Sequence, residues 1–211
     1  YDLIKLGKSS LVLAGGADAF SKIAFTGFSR LYAMAPEMCR PFDKNRKGML
    51  LGEGSGFMMV EALESAQDRG ATIYAEILGY GLSCDANHMT IPTESGLSQV
   101  MMAALNQAQI DSSSVDYISA HGTGTVTNDK VECKAINRVF GENNKKIAVS
   151  SIKSMLGHTM GAASALEAIT CALAIYNDAI PPTINHQTAD DECRIDCVPN
   201  YFRKKIIRVA I

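Results

Sequence analysis

The stretch Lys146-Ile-Ala-Val-Ser-Ser-Ile-Lys153-Ser-Met-Leu-Gly-His158-Thr-Met-Gly-Ala-Ala-Ser-Ala-Leu-Glu167 begins as a strand and ends as a helix. Lys146 to Ser151 is the strand, Lys153 to Gly161 a glycine-bearing loop, and about Ala162 to Tyr176 the helix. Ala162, Ala163, Leu166, Ala168, Ile169, Cys171, Ala172, Leu173 and Ile175 put apolar side chains on every face of that helix. The pattern predicts a helix buried all round, as one sandwiched between two sheets would be. Immediately upstream the same order occurs. Val115 to Ala120 is a strand, His121-Gly-Thr-Gly-Thr125 a loop, and a helix capped by Asn128 runs to about Phe140, closed by Gly141. Strands alternating with helices at this spacing predict an α/β sheet with right-handed crossovers.

Further from this centre the elements are shorter. Tyr1 to Leu6 is an amphipathic helix closed by Gly7, and Ser10 to Ala14 a buried strand stopped by Gly15-Gly16. Phe20 to Met38 is a methionine-rich helix-and-loop excursion, and Arg40 to Gly48 a polar turn. Gly52-Glu-Gly-Ser-Gly56 leads into a buried strand, Phe57 to Val60, and Glu64 to Arg69 is a helix ended by Gly70. Thr72 to Tyr80 alternates and reads as a strand, Ser83 to Ser95 as a loop, Leu97 to Gln109 as an amphipathic helix. The start inside a helix and the turnless β-type run Ile206 to Ile211 both predict a piece of a longer chain.

The composition narrows the function class. The 211 residues carry a net charge of -2 at pH 7, without a long run of either sign, which argues against a nucleic-acid or membrane-surface binder. No apolar stretch has the length to cross a bilayer, and the default expectation is a cytoplasmic protein. The six cysteines are scattered, and Cys193 and Cys197 lack a second pair or nearby histidines for a zinc site, so reduced thiols filling the core are expected.

Two histidines remain as the strongest chemical signal. His121 and His158 each follow a strand and sit in a glycine-rich loop. In parallel sheets the carboxyl ends of strands gather ligand groups, so both imidazoles are expected to face one crevice. His158 precedes a helix N-terminus, whose dipole favours a neutral ring that donates N–H to an anion such as a developing enolate. Glu167 is the one acid on an apolar helix and needs a partner, and Lys153 is the nearest cation in sequence. A structural ion pair and a functional one read equally well there.

Several long motifs now converge on one family. His121-Gly-Thr-Gly-Thr with Asp129 and Glu132 resembles the first histidine motif of β-ketoacyl synthases, and Ser150 to Glu167 their lysine-and-histidine loop. Ala14-Gly-Gly-Ala-Asp18, Arg40-Pro-Phe-Asp-Lys-Asn-Arg-Lys-Gly48, Gly52-Glu-Gly-Ser-Gly56 and His88-Met-Thr90 ahead of Pro92 resemble that family too, in the right order up to about Thr183. The Lys44-Asn45-Arg46 loop and His88-Met-Thr90 resemble most the elongating enzymes of dissociated fatty-acid systems; modular polyketide ketosynthases share the rest.

The resemblance implies a thiolase-like fold, a layered αβαβα sandwich of two similar halves, usually dimeric. Residues 1–75 would be the end of the first half and 76–211 most of the second. It implies decarboxylative Claisen condensation between a cysteine-bound acyl group and a malonyl group on acyl carrier protein, giving a 3-oxoacyl product in fatty-acid or polyketide synthesis. His121 and His158 would stabilise the enolate, with Lys153 organising the site and Glu167 as its partner. Asp129 and Glu132 would hold the loop, while Thr123, Thr125 and Thr90 would contact the phosphopantetheine arm that carries the substrate. No metal or other cofactor is required. Acyl carrier protein is the implied partner, in a homodimer or a ketosynthase heterodimer.

The family's nucleophile sits in an Ala-Cys-Ser or Ala-Cys-Ala context upstream of Ala14, and its Gly-Phe-Gly-Gly loop would follow Ile211. Neither occurs here, so the chain alone is expected to be inactive in condensation. A chain-length-factor-like subunit need not keep the histidine pair, and a thiolase would lack the Lys153–His158 loop. Gly52 to Gly56 is no dinucleotide or P-loop fingerprint, which argues against a nucleotide-binding module. A non-catalytic fragment that only associates is the remaining alternative.

Overall fold

Two short strands at the centre organise the chain in the computed structural model, which describes residues 1–88 and 90–211. Met89, inside the His88-Met-Thr90 motif, lies outside the described residues. Strands β3 (Tyr117–Ser119) and β4 (Ala148–Ser150) pair in parallel, Tyr117 against Ala148 and Ser119 against Ser150. Helix α5 (Val126–Phe140) connects them, the crossover that a parallel pair needs. The chain extends this sheet on both sides. Ser119 N donates to Ile211 O and Asp116 N to Val209 O, both at 2.9 Å, while Val149 N donates to Asp196 O at 2.8 Å.

Successive strand residues point to opposite faces, and two cores result. Ile118 and Val149 pack with Cys133, Ile136 and Phe140 of α5 and with Leu105 of α4 (Glu94–Ala108). Tyr117 and Ala148 pack with Ala174 of α7 (Ala163–Asn177), Ile180, Val198 and Ile207. Burying each of the larger apolar side chains contributes roughly 1.5–3 kcal/mol. The central sheet thus has helices on both faces.

The remaining strands pair antiparallel, β1 (Leu11–Asp18) with β2 (Gly54–Glu61), and β5 (Ala179–Ile180) with β6 (Arg203–Lys204). Helices α1 (Asp2–Lys5), α2 (Lys22–Arg30) and α3 (Leu63–Asp68) flank the first pair in sequence, and one-turn α6 (Lys153–Leu156) lies within the second histidine loop.

Several expectations are corrected. Gly15-Gly16 does not stop the first strand, which continues to Asp18. A Cβ on Gly16 would stand 2.2 Å from Gly161 O, so glycine is required there by the close approach of the segment leading into α7. Nor are β1 and β2 buried strands. They alternate, with Leu13 and Phe57 exposed on the face away from α7. Helix α7 does pack on both the β1–β2 pair and β3, yet it is not buried all round: Leu173 and Tyr176 are exposed. The β1–β2 pair and β3 each cover one side of the helix and leave the remainder open.

Residues 72–80 form no strand, because nothing among the described residues pairs with them; instead Tyr80 N donates to Gln107 Oε1 (2.5 Å), and Gly79 and Gly81 lie close against the α4 backbone. Helix α4 starts at Glu94, capped by Thr93 Oγ1, which accepts from Gly96 N (3.1 Å). Helix α5 starts at Val126 rather than at Asn128.

Candidate active site

Both histidine loops leave the carboxyl ends of adjacent parallel strands, His121 two residues past β3 and Lys153 three past β4. That topology brings the rings together. The imidazoles of His121 and His158 lie edge to face, with centroids 5.3 Å apart and planes at 83°.

The first loop is held from below by α5. Asp129 and Glu132, three residues apart, lie on one face of that helix, both buried. Glu132 accepts the backbone N–H groups of His121 (2.7 Å) and Gly122 (2.8 Å), and Asp129 those of Phe42 (2.9 Å) and Gly124 (3.2 Å). Asn128 Nδ2 donates to both carboxylates, at 3.2 and 3.4 Å. Gly124 has φ +77° and a Cβ there would be 2.7 Å from Gly48 O, so the loop is confined to glycine. Thr123 and Thr125 share a hydroxyl–hydroxyl hydrogen bond of 2.9 Å. That bond occupies Thr125, which therefore precedes α5 without capping it.

The second loop is fixed by the chain around Leu50. His158 N donates to Leu50 O (2.7 Å), and Gly52 N donates to His158 O (3.0 Å). The Nδ1 of His158 accepts Met160 N at 3.2 Å. The neutral ring therefore carries its hydrogen on Nε2, the nitrogen free to donate.

Lys153 joins the two loops. Its Nζ donates to the backbone carbonyl of His121 (2.7 Å) and forms an ion pair with Glu167 on α7. The lysine side chain is 2% exposed and the carboxylate 17%. A buried ammonium beside the rings disfavours their protonation. Burial, then Lys153, lowers the pKa of His158 to about 4. Burial, then Lys153 and His158, lowers that of His121 to about 3. One side of His121 is open to solvent, which weakens the effect of its surroundings without reversing it. Both rings are neutral at physiological pH. Burial pushes Glu132 up to about 7, against the backbone N–H of Gly122, and raises Asp129 and Glu167 as well.

Thr90 is the predicted residue that the geometry leaves apart. It lies in an exposed loop with its N–H on His88 Nδ1 (3.2 Å), and no hydrogen bond among the described residues ties it to either histidine loop. Sequence reasoning assigned no role to Arg46 or Phe42, which support the site from behind. Buried Arg46 pairs with Asp190, approaches Asp129 at 3.8 Å and donates to Thr125 O (3.3 Å) and Val126 O (3.1 Å). Buried Phe42, in the left-handed region at φ 65°, packs beneath Gly122. The Arg40 to Gly48 motif, which holds both residues, was the available signal. The cysteines stand apart from this chemistry. Cys39 is buried behind the first loop, its thiol donating to Thr123 O (3.3 Å), and burial raises it to about 12.

Comparison with known proteins agrees with this arrangement. The model of the β-ketoacyl synthase N-terminal domain matches residues 1–66, and that of the β-ketoacyl synthase C-terminal domain residues 74–187. Nodulation protein E of Rhizobium meliloti is 46% identical over all of this chain and 53% of its own length. The 3-oxoacyl-[acyl-carrier-protein] synthase 2 of Staphylococcus aureus is 44% identical over 95% of this chain and 52% of its own. The ishigamide ketosynthase/chain length factor superposes with a TM-score of 0.95 at 49% identity, covering 99% of this chain and 51% of that one. AntDE:AntF, a type II polyketide-synthase acyl-carrier protein in complex with its ketosynthase, does so with a TM-score of 0.95 at 37% identity, covering 99% and 54%. The chain spans about half the length of the curated relatives it matches. Its two histidine loops, its thiolase-like layering and the match of both domain models place the chain in the β-ketoacyl synthase family.

Proposed function

We propose that this chain supplies the decarboxylating part of a β-ketoacyl synthase site, acting in fatty-acid or polyketide synthesis. The observation that carries the reading is the pair of neutral imidazoles, edge to face at 5.3 Å on adjoining loops. In the reaction the bond between the malonyl Cα and its carboxylate breaks, and carbon dioxide leaves. The electron pair passes into the thioester carbonyl, whose oxygen becomes an enolate. His158 Nε2–H and the His121 ring donate to that oxygen, a preorganised pair of the oxyanion-hole kind. The enolate carbon then attacks the acyl thioester, forming the new carbon–carbon bond and expelling the thiolate that carried the acyl group. Lys153 and Glu167 hold the loops in place, as do Asp129 and Glu132.

None of the six cysteines here stands in the family's Ala-Cys-Ser or Ala-Cys-Ala context, and the acyl-bearing cysteine is assigned outside this chain. Burial raises Cys39 and Cys197 to about 12 and Cys171 to about 11, and a hydrogen bond with Cys193, then burial, pushes Cys133 up as well, whereas a nucleophile needs a depressed pKa. The chain by itself is then inactive in condensation. Thr123 and Thr125, on the His121 loop, suit contact with a phosphopantetheine arm, and acyl carrier protein is the partner. The division into two halves falls near residue 75, and assembly is as a homodimer or with a second ketosynthase chain.

The test is to incubate the complete two-half synthase, in which this chain supplies the histidine loops, with acyl- and malonyl-carrier protein and to look for the 3-oxoacyl product by mass spectrometry. Product formation supports the reading, and its absence in folded protein overturns it in favour of a non-acylating subunit.

A further inference from the structure

A buried hydroxyl lies between the two histidine loops. Ser151 is fully buried, immediately after β4. Its Oγ donates to Gly122 O at 2.7 Å, one residue from His121, and accepts Lys153 N at 3.3 Å, at the start of the other loop. Its own backbone is held on both sides. Ser151 N donates to Thr183 Oγ1 (3.0 Å), and its carbonyl accepts Ser154 Oγ (2.8 Å). The packing is equally tight, since a Cβ on Gly122 would stand 2.5 Å from the Cβ of Ser151. Gly122 N is meanwhile taken by Glu132, so both polar groups of that residue are fixed.

We infer that Ser151 is a positioning residue that sets the spacing of His121 relative to Lys153 and His158. This rests on the function proposed above, and it separates two duties. Lys153 brings charge to the site, whereas Ser151 is neutral and acts by hydrogen bonds alone. Removing its hydroxyl leaves Gly122 O without a donor in a buried place. The first loop then loses one of its two ties to the second, keeping only that of Lys153 Nζ to His121 O, while both rings remain. Small displacements of catalytic groups slow reactions more than they weaken binding. The effect therefore falls on turnover.

The experiment measures carbon dioxide release from malonyl-carrier protein by the intact protein, its Ser151→Ala and Ser151→Cys variants, and His158→Ala. For Ser151→Ala, kcat is expected to fall about 10- to 100-fold while KM stays within about twofold. Ser151→Cys keeps the shape and a weak donor, and recovers part of the rate. An unchanged kcat in Ser151→Ala overturns the inference, as does a Cys variant no better than Ala. If Ser151→Ala does not fold, Ser151→Cys decides: a lower kcat at unchanged KM supports the inference, and a wild-type kcat overturns it. A wild-type protein that releases no carbon dioxide would sink the functional reading and this inference together; an active wild type with equally active Ser151 variants sinks the inference alone.

Discussion

The ammonium of Lys153 donates to the backbone carbonyl of His121 at 2.7 Å, across 32 positions of sequence. A charge that touches the main chain of one loop while standing in the other couples their positions. Its pairing with Glu167 ties both loops to α7.

This pair can be tested by separating it. Glu167→Gln leaves a nearly fully buried ammonium without its carboxylate, and such losses destabilise by about 3–5 kcal/mol. Urea denaturation of the variant checks this. The double variant Lys153→Met with Glu167→Gln, which buries no charge at this point, is expected to recover most of the lost stability but not the activity.

The proposed function gives the two histidines the chemistry and little of the fold. His121→Ala or His158→Ala is expected to lower malonyl decarboxylation by about 10²–10³-fold, the usual effect of removing one such donor. In the complete two-half synthase, acylation of the nucleophile, followed by whole-protein mass spectrometry, should be largely retained. Near wild-type decarboxylation in both variants would remove the assigned role. Because both rings already lack a proton well above their pKa values of about 3 and 4, the wild-type rate should be flat from neutral pH down to about pH 5. A fall centred near the ordinary histidine value would contradict that.

Glu132 gives a signed dependence of stability on pH. Its carboxyl is raised from 4.5 to about 7 by burial, so the folded chain keeps a proton that the unfolded chain releases between those values. Its contribution therefore favours the fold at low pH and declines as pH rises through that window, by up to about 3 kcal/mol. Glu132→Gln removes the titration. Relative to wild type, its urea midpoint should shift in its favour between about pH 5 and pH 7, whatever constant offset the lost acceptor introduces. A difference that does not change with pH would show that Glu132 is ionised throughout.

Gly122 combines a φ of +41° with a missing Cβ that would meet Ser151. Gly122→Ala is expected to lower stability by about 1–3 kcal/mol and to reduce decarboxylation more than Gly7→Ala, where nothing lies within 4 Å. Equal effects at the two glycines would reduce the first to backbone conformation alone.

Much of the centre was legible in the sequence because it rests on local signals. The periods of β3, α5, β4 and α7 were visible, and the histidines stood out as polar residues after apolar runs. Glu167 announced a partner because a lone acid on an apolar helix must find one. The misreadings share a physical cause. Apolar composition says that a side chain can be buried, not what will cover it; hence Leu173 was placed in a core although it faces solvent. A strand needs a partner that its own residues do not name, as residues 72–80 show. Arg46 and Ser151 act through main-chain groups far off in sequence, and such contacts leave no local pattern.

The unpaired run from Thr72 to Gly79 has a kinetic consequence. None of its amides makes a backbone hydrogen bond to any described residue, whereas that of Val149 is held inside the central sheet. In deuterated water the first group should be labelled almost as fast as a free peptide, and the second only when the whole core opens. A peptide map of isotope uptake would thus show two lifetimes within one chain, and anything that later seats itself along residues 72–79 would be seen as the slowing of the faster one.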